Sequence, residues 1–213
     1  MRRQECRRGT QECVRHKQRG DSVFYVGLDL GQRQDFSALA VVEREEQQFT
    51  SVPAPRELSV RHLERMELGT PYPRVVMRVC EVMRHPKIAR QSRLVVDATG
   101  VGAPVVDLLR SAGLGVSLTT VTITGGERAH GQGERWQVPR GDLLAGLEVL
   151  LEAGELKICR RLREAERLVR ELEAMRVSGG GGEHDDLAFA VALAVWRARR
   201  AENGFGTTRL PGI

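Results

Sequence analysis

The stretch Val23-Phe24-Tyr25-Val26-Gly27-Leu28-Asp29-Leu30 decides the fold. It is almost wholly apolar and rich in β-branched and aromatic residues, which predicts a buried strand. Asp29 is the exception. Because an unpaired carboxylate in a buried strand is costly, its presence indicates a metal ion or a strong hydrogen bond at this point of the strand.

The segments that follow predict a mixed sheet. Residues 38–42 and 49–52 predict two further strands, which would form an antiparallel meander with the first, and a polar connection bracketed by Pro53 and Pro73 comes next. Strands are then expected at 94–96, 116–123 and 156–158, and helices at about 73–85, 105–109, 139–154 and 162–172, with a Gly-rich charged loop at 124–138. Residues 187–196 are all apolar, so the closing helix, 185–200, should be buried on most sides. This order predicts an α/β fold with helices on both faces of the sheet.

Length and charge suggest one domain with two tails. We expect a basic arm at 1–21, a domain at 22–200 and a C-terminal tail at 201–213. Residues 1–20 carry seven basic and two acidic residues, an excess equal to the whole net charge of +5. Such an arm suits a polyanion such as nucleic acid, or is a plain solvated linker.

No apolar run reaches the roughly 18 residues that span a bilayer. No secretory signal is present at the N-terminus, so we expect a cytoplasmic protein without a membrane partner.

Four carboxylates stand where an apolar element meets a polar turn. Asp29 lies in the first strand, Asp97 ends the strand at 94–96, and Asp185 and Asp186 begin the closing helix. Each has a structural alternative: Asp29 could accept from backbone donors at Gly31, Asp97 could form an Asx turn, and Asp185 could cap the helix. A cap needs only one carboxylate, however, which leaves Asp186 unexplained.

Carboxylates from three segments at one sheet edge repel each other unless cations lie between them. Oxygen ligands suit Mg²⁺ and Mn²⁺. Two such ions about 4 Å apart can activate a water and stabilise the leaving oxygen in phosphodiester cleavage. This chemistry needs no Ser, Cys or His nucleophile.

Three motifs resemble the nuclease domain in large terminase subunits of tailed bacteriophages. Gly-Leu-Asp-Leu-Gly at 27–31, followed by Asp-Phe-Ser-Ala at 35–38, resembles its first motif. Val-Val-Asp-Ala-Thr-Gly-Val-Gly at 95–102 resembles the second, and Glu-His-Asp-Asp-Leu-Ala at 183–188 the third. Val-Pro-Arg at 138–140 resembles the segment where that family usually has Pro-Lys. The resemblance runs in the right order from about residue 23 to residue 200.

The resemblance implies a ribonuclease H-like fold and cleavage of double-stranded DNA during genome packaging, with two Mg²⁺ or Mn²⁺ ions. It implies that the metal ligands, which are also the catalytic residues, are Asp29, Asp97 and one or both of Asp185 and Asp186. His184 would be a supporting residue or an ordinary surface histidine, and Asp35 would support the site or cap a turn. Candidate DNA contacts are Arg140, Arg33, Gly180 and Gly181.

The same resemblance implies partners and a setting, with two departures from the family. Expected partners are double-stranded DNA and a separate packaging ATPase, small terminase subunit or portal, in a bacterial host cell that carries a phage or prophage. The chain has no GxxxxGK[ST] phosphate loop, so we expect a nuclease domain detached from its motor, a truncated prophage remnant or a stand-alone relative. Arg140 stands in place of the usual lysine; it keeps the charge and could still hold a phosphate.

Three other functions fit parts of the pattern. An actin-like or sugar-kinase-like ATPase uses a similar first turn but normally needs two subdomains. A junction resolvase or transposase-like nuclease would share the fold and the chemistry. A non-catalytic DNA-binding prophage remnant would keep the fold alone.

Overall fold

The computed structural model describes residues 22–31, 35–45, 57–89, 91–100, 103–178 and 184–203. In this part of the chain, the strands are β1 (Ser22–Asp29), β2 (Ala38–Glu45), β3 (Leu58–Arg65), β4 (Ser92–Asp97), β5 (Ser117–Thr124), β6 (His130–Gln132), β7 (Arg135–Pro139) and β8 (Leu156–Ile158). The helices are α1 (Tyr72–Met83), α2 (Ala103–Ser111), α3 (Arg140–Glu152), α4 (Ala165–Ser178) and α5 (Asp186–Asn203). The predicted arm and residues 204–213 of the predicted tail lie outside the described residues.

The strands form one mixed sheet in the order β6-β7-β5-β4-β1-β2-β3-β8. β1, β2 and β3 pair antiparallel, whereas β4, β5 and β7 continue from β1 as parallel strands. The carboxyl ends of β1 and β4 therefore meet at one edge. The predicted mixed sheet, an antiparallel meander followed by parallel strands, is confirmed.

Helices cover both faces of this sheet, because alternate strand residues point to opposite sides. On one face, Tyr25 and Val95 pack with apolar residues of α3, α4 and α5. On the other face, Val26 and Leu28 pack with α1 and α2. Asp29 and Asp97 follow the alternation of Tyr25 and Val95, so both belong to the α5 face.

The third strand of the meander lies later in the chain than expected. Residues 49–52 are outside the described residues, and β3 occupies part of the segment that we expected to be a polar connection. Buried Leu58 and Val60 alternate with polar residues. The pairing with β2 shifts register at Arg61, so the next buried residue is Leu63. The charged outward residues and this irregularity obscure the period of two that marks a strand.

The loop expected at 124–138 also contains regular structure. β6 and β7 form a hairpin that turns at Gly133, and β7 extends the sheet beside β5. Only Val138 and Pro139 of β7 are buried. A short strand with so few inward apolar residues has little hydrophobic pattern to detect.

The closing helix lies directly against β1 at Gly27. A Cβ atom at that position would stand 1.9 Å from the Ala190 carbonyl oxygen and 3.0 Å from the Ala194 nitrogen. Residues 187–195 are all almost completely buried, as their apolar run predicted. Ala190 lies over Gly27. Ala198, later in α5, accepts a hydrogen bond from Arg44, whose partner Val23 is near the start of β1. The first turn of α5 therefore lies toward the carboxyl end of β1, where Asp29 stands.

In the residues that the structure describes, no helix is long and apolar enough to cross a membrane.

We expect Gly27→Ala to destabilise the fold by about 3 kcal/mol, because its methyl group would overlap the α5 backbone. The matched control is Gly141→Ala in α3, where an added Cβ meets no atom within 4 Å. That change should be neutral or stabilising by up to about 1 kcal/mol, since alanine is the better helix former. Urea unfolding measures both variants, and equal stabilities would contradict the close contact.

Candidate active site

Asp29 closes β1 at the edge that faces the start of α5, and its side chain is only partly exposed. Burial raises the pKa of Asp29 well above its ordinary value, and the negative charges of Asp97, Asp186, Asp185 and Asp35 raise it further. Because charge interactions weaken with distance, these effects indicate that the predicted acids lie in the neighbourhood of Asp29. The alternative role at Gly31 is filled by another residue, because the Gly31 N–H donates to Ser37 Oγ at 3.1 Å.

Asp97 ends β4, the parallel neighbour of β1. Its Oδ1 accepts a hydrogen bond from the Thr99 N–H at 2.8 Å, which is the predicted Asx turn. Thr99 Oγ1 in turn accepts from the Ile123 N–H at 2.7 Å. Burial raises the pKa of Asp97, while the bonds to Thr99 oppose that rise. The turn therefore orients the carboxylate without removing it from the acidic edge.

Asp185 and Asp186 differ in their counter-ions. Asp185 Oδ2 lies 2.6 Å from Arg140 Nη2. Asp186 Oδ2 lies 3.5 Å from Arg65 Nε, and each of these two buried atoms lacks a hydrogen-bond partner. Burial raises the pKa of Asp186, and the charge of Arg65 lowers it. Asp186 is thus the carboxylate of the pair with an unsatisfied buried oxygen.

Of the two predicted supporting residues, His184 belongs to a small group of packed side chains and Asp35 does not. The His184 ring meets the Phe36 ring edge-on, with 5.5 Å between centroids, and the Arg65 guanidinium carbon lies 3.4 Å from the Phe36 centroid. Asp35 is exposed and acts on Asp29 through its charge. Three predicted DNA contacts lie outside the described residues: Arg33, Gly180 and Gly181.

The donor set suits a hard cation, although the side chains are not arranged around one. In the described part of the chain, no three His, Cys, Asp or Glu side chains are grouped so that they could hold a metal ion as they stand. Arg140 and Arg65 occupy the positions beside Asp185 and Asp186 where positive charge is needed. The unsatisfied Asp186 oxygen and the raised pKa of Asp29 indicate that these two arginines only partly neutralise the acids. A divalent cation fits this remaining negative charge.

Sequence reasoning missed Glu171, which reaches the acidic edge from α4. Its side chain is 6% exposed, and Oε2 accepts the Ala188 N–H of α5 at 2.9 Å. Glu171 therefore caps α5, while the Asp185 carboxylate, the expected cap, turns to Arg140. The detectable signal was the spacing of Leu168, Glu171 and Met175, which places a carboxylate within the buried stripe of α4.

Arg65 was missed for a different reason. It ends β3, and that strand was not recognised in the sequence. Its pairing with Ala38 of β2 brings it beside the turn that follows β1.

Glu171 predicts a pH-dependent stability. Burial raises its pKa from 4.5 to about 7, so the folded protein holds this proton more tightly than the unfolded chain. Stability from this group is complete below pH 4.5 and declines as the pH rises to about 7. Glu171→Gln stays neutral and can still accept from Ala188. In chelator-treated buffer, the unfolding free energy of wild type minus that of the variant should fall by about 3 kcal/mol over this range.

Parallel urea titrations of the two proteins cancel the contributions of the other acids, which both chains share. A difference that stays flat between pH 4.5 and 7 would contradict the raised pKa of Glu171.

Comparison with solved structures identifies the fold. The large terminase nuclease from thermophilic phage G20c superposes with a TM-score of 0.53 at 19% identity, covering 83% of each chain. The human cytomegalovirus terminase nuclease domain, in a manganese-soaked structure, superposes with a TM-score of 0.52 at 17% identity, covering 81% of each chain. No protein-family model matches the sequence, and neither does any curated protein. This chain has the ribonuclease H-like fold of terminase nuclease domains, as its three motifs predicted.

Proposed function

We propose that this chain is a divalent-metal-dependent endonuclease that cleaves double-stranded DNA, as a terminase nuclease domain without its ATPase motor. The observation that carries this proposal is the convergence of Asp97, Asp185 and Asp186 around Asp29, whose pKa they raise in addition to the effect of burial. Like charges gathered in this way are unfavourable without a cation. The terminase fold supports the choice of DNA as substrate.

The residues that would hold the metal are Asp29, Asp97, Asp186 and, once released from Arg140, Asp185. Two Mg²⁺ or Mn²⁺ ions bound there would supply an activated water and stabilise the leaving oxygen of a phosphodiester. The human cytomegalovirus relative, whose structure was soaked with manganese, supports the choice of cation.

The arginines of the site have a role in the metal-free protein. Arg65 and Arg140 neutralise part of the carboxylate charge, so the acids are tolerated before a cation arrives. Arg140 opens α3 directly beside Asp185, and its guanidinium matches the geometry of a phosphate. With a cation as the counter-ion of Asp185, Arg140 would be able to hold the DNA backbone.

A cavity of about 850 Å³, lined by Phe24, Glu43 and Arg78 among others, lies at the start of β1 and not at the acids. The acids lie at the other end of that strand, where β1 and β4 end and α5 begins. The likeness to terminase nucleases supports the proposed partners, which are duplex DNA and a packaging ATPase, small terminase subunit or portal, in the cytoplasm of a bacterial host.

We expect Asp97→Ala to lower the cleavage of linear duplex DNA with Mn²⁺ or Mg²⁺ by more than about 100-fold. Loss of a residue that only supports a metal ligand typically lowers activity by about 10–100-fold, and loss of the ligand itself should lower it further. The control is Asp107→Ala in α2, which removes an exposed carboxylate on the opposite side of the sheet. Gel assays should show full cleavage by the control, and circular dichroism should show both variants folded.

An inactive wild type with both metals, or normal cleavage by Asp97→Ala, would refute the nuclease assignment. Four-way junctions tested beside linear duplex separate a packaging nuclease from a junction resolvase.

We expect Asp29→Asn to raise the melting temperature at pH 7 in metal-free buffer. Asparagine removes a charge that burial and four neighbouring carboxylates disfavour. The variant should also lose the rise in melting temperature that Mn²⁺ gives the wild type. Differential scanning fluorimetry with and without Mn²⁺ measures both effects. If Asn destabilises the metal-free protein, the charge of Asp29 is not unfavourable in the fold; if Mn²⁺ stabilises both chains equally, Asp29 is not a metal ligand.

A further inference from the structure

Four arginines gather at the end of α5 opposite to the acids; we refer to them as the arginine cluster. They are Arg44 of β2, Arg93 of β4, and Arg197 and Arg200 of α5, and each is partly exposed. The guanidinium carbons of Arg44 and Arg93 lie 5.3 Å and 6.0 Å from the centroid of the Tyr25 ring. Both strand arginines therefore lie beside the Tyr25 ring, on the α5 face.

The helix arginines are held in place by their own contacts. Arg197 Nε donates to Thr119 Oγ1 at 3.3 Å, on the strand next to β4. The Arg200 guanidinium carbon lies 3.6 Å from the Trp136 ring centroid and 5.6 Å from that of Trp196. Their positions are therefore set before any partner binds, which lowers the entropic cost of binding.

Among the described residues, no carboxylate lies within ion-pair distance of Arg93, Arg197 or Arg200. Burial lowers the pKa of Arg197, and the charges of Arg93, Arg200 and Arg44 lower it further. Neighbouring positive charges favour the binding of an anion, because the anion relieves their mutual repulsion.

Helix capping explains only part of the arginine cluster. Arg44 Nη1 donates to the Ala198 carbonyl at 3.0 Å, and positive charge near the last turn of a helix is favourable. Arg93 comes from a strand and shows no such bond, and Arg197 donates to a side-chain hydroxyl. Their concentration at one place exceeds what the end of one helix requires.

The arginine cluster lies far from the acids. Val23, the partner of Arg44, precedes Asp29 by six residues of β1, or about 20 Å. Asp186 and Arg197 are eleven residues apart on α5, or about 16 Å. The middle of α5 between them is buried under α3 and α4. A phosphate at the arginine cluster is therefore not the scissile phosphate at the acids.

We propose that the arginine cluster binds the phosphate backbone of a second stretch of nucleic acid, apart from the scissile one. The proposal rests on the proposed function only in taking nucleic acid as the partner. Arginine forks match phosphate oxygens in a planar, two-bond geometry. Among the described residues, Arg93, Arg197 and Arg200 have no carboxylate within ion-pair distance. A group of positive charges of this kind suits a polyphosphate better than the mixed charges of a folded protein.

The test is the binding of a short fluorescein-labelled DNA duplex to the full chain in chelator-containing buffer, where no cleavage occurs. Fluorescence anisotropy over a series of salt concentrations compares the wild type with Arg93→Gln/Arg197→Gln. If both arginines contact phosphates, the salt slope of log Kd should fall by about 1.8. Arg160→Gln/Arg163→Gln, two exposed arginines between β8 and α4, makes the same charge change and should keep the wild-type slope.

Two results would overturn the proposal. One is an unchanged slope in Arg93→Gln/Arg197→Gln, with melting temperatures showing that the variant is folded. The other is competition by poly-glutamate as effective as competition by DNA of equal charge, which would identify an acidic polypeptide surface as the partner.

Cleavage assays separate this proposal from the nuclease assignment. With Mn²⁺, Arg93→Gln/Arg197→Gln should cleave saturating DNA at the wild-type rate and show a raised KM. If the wild type binds DNA with the predicted slope change but cuts nothing, only the nuclease assignment fails. If it cuts and the slope is unchanged, only the arginine cluster proposal fails.

Discussion

The close contact between α5 and β1 is the constraint on which the acidic edge depends. Because Gly27 has no side chain, the Ala190 carbonyl approaches to a position that any Cβ atom would exclude. This contact sets the depth and direction of α5, so its first residue, Asp186, stands at the end of the sheet that carries Asp29. The free energy comes from residues 187–195, since each large apolar side chain contributes roughly 1.5–3 kcal/mol on burial.

That packing energy holds together groups that repel each other. Burial and neighbouring charge raise the pKa of Asp29, and burial raises that of Asp97. Arg65 stands beside Asp186 without a hydrogen bond between the two buried atoms. Apolar residues at these positions would often be as stable or more stable than buried charges. An arrangement that is unfavourable for folding alone, and suited to a cation, favours a functional origin.

The site residues that can be predicted from the sequence are the charged residues whose sequence neighbours are apolar. Asp29 and Asp97 end apolar strands, so the contrast is visible in a few residues. Glu171 sits in a helix rich in charge, where the apolar residues do not all lie on the buried face: Val169 is 41% exposed. One residue of error in helical phase rotates the inferred face by about 100° and hides a buried carboxylate. Arg65 could not be found at all, because its place beside Asp186 depends on the pairing of β3 with β2.

The direction of α5 also determines where each sign of charge is favoured. A helix carries partial positive charge at its N-terminal end and partial negative charge at its C-terminal end. Asp186 stands at the first end and Arg200 in the last described turn, so both lie where the helix field favours them. The direction of β4 separates the same two groups of charge, since Arg93 lies near its start and Asp97 at its end. A reversed α5 would oppose both charge groups, so the contact at Gly27 that places the acids also places the arginine cluster.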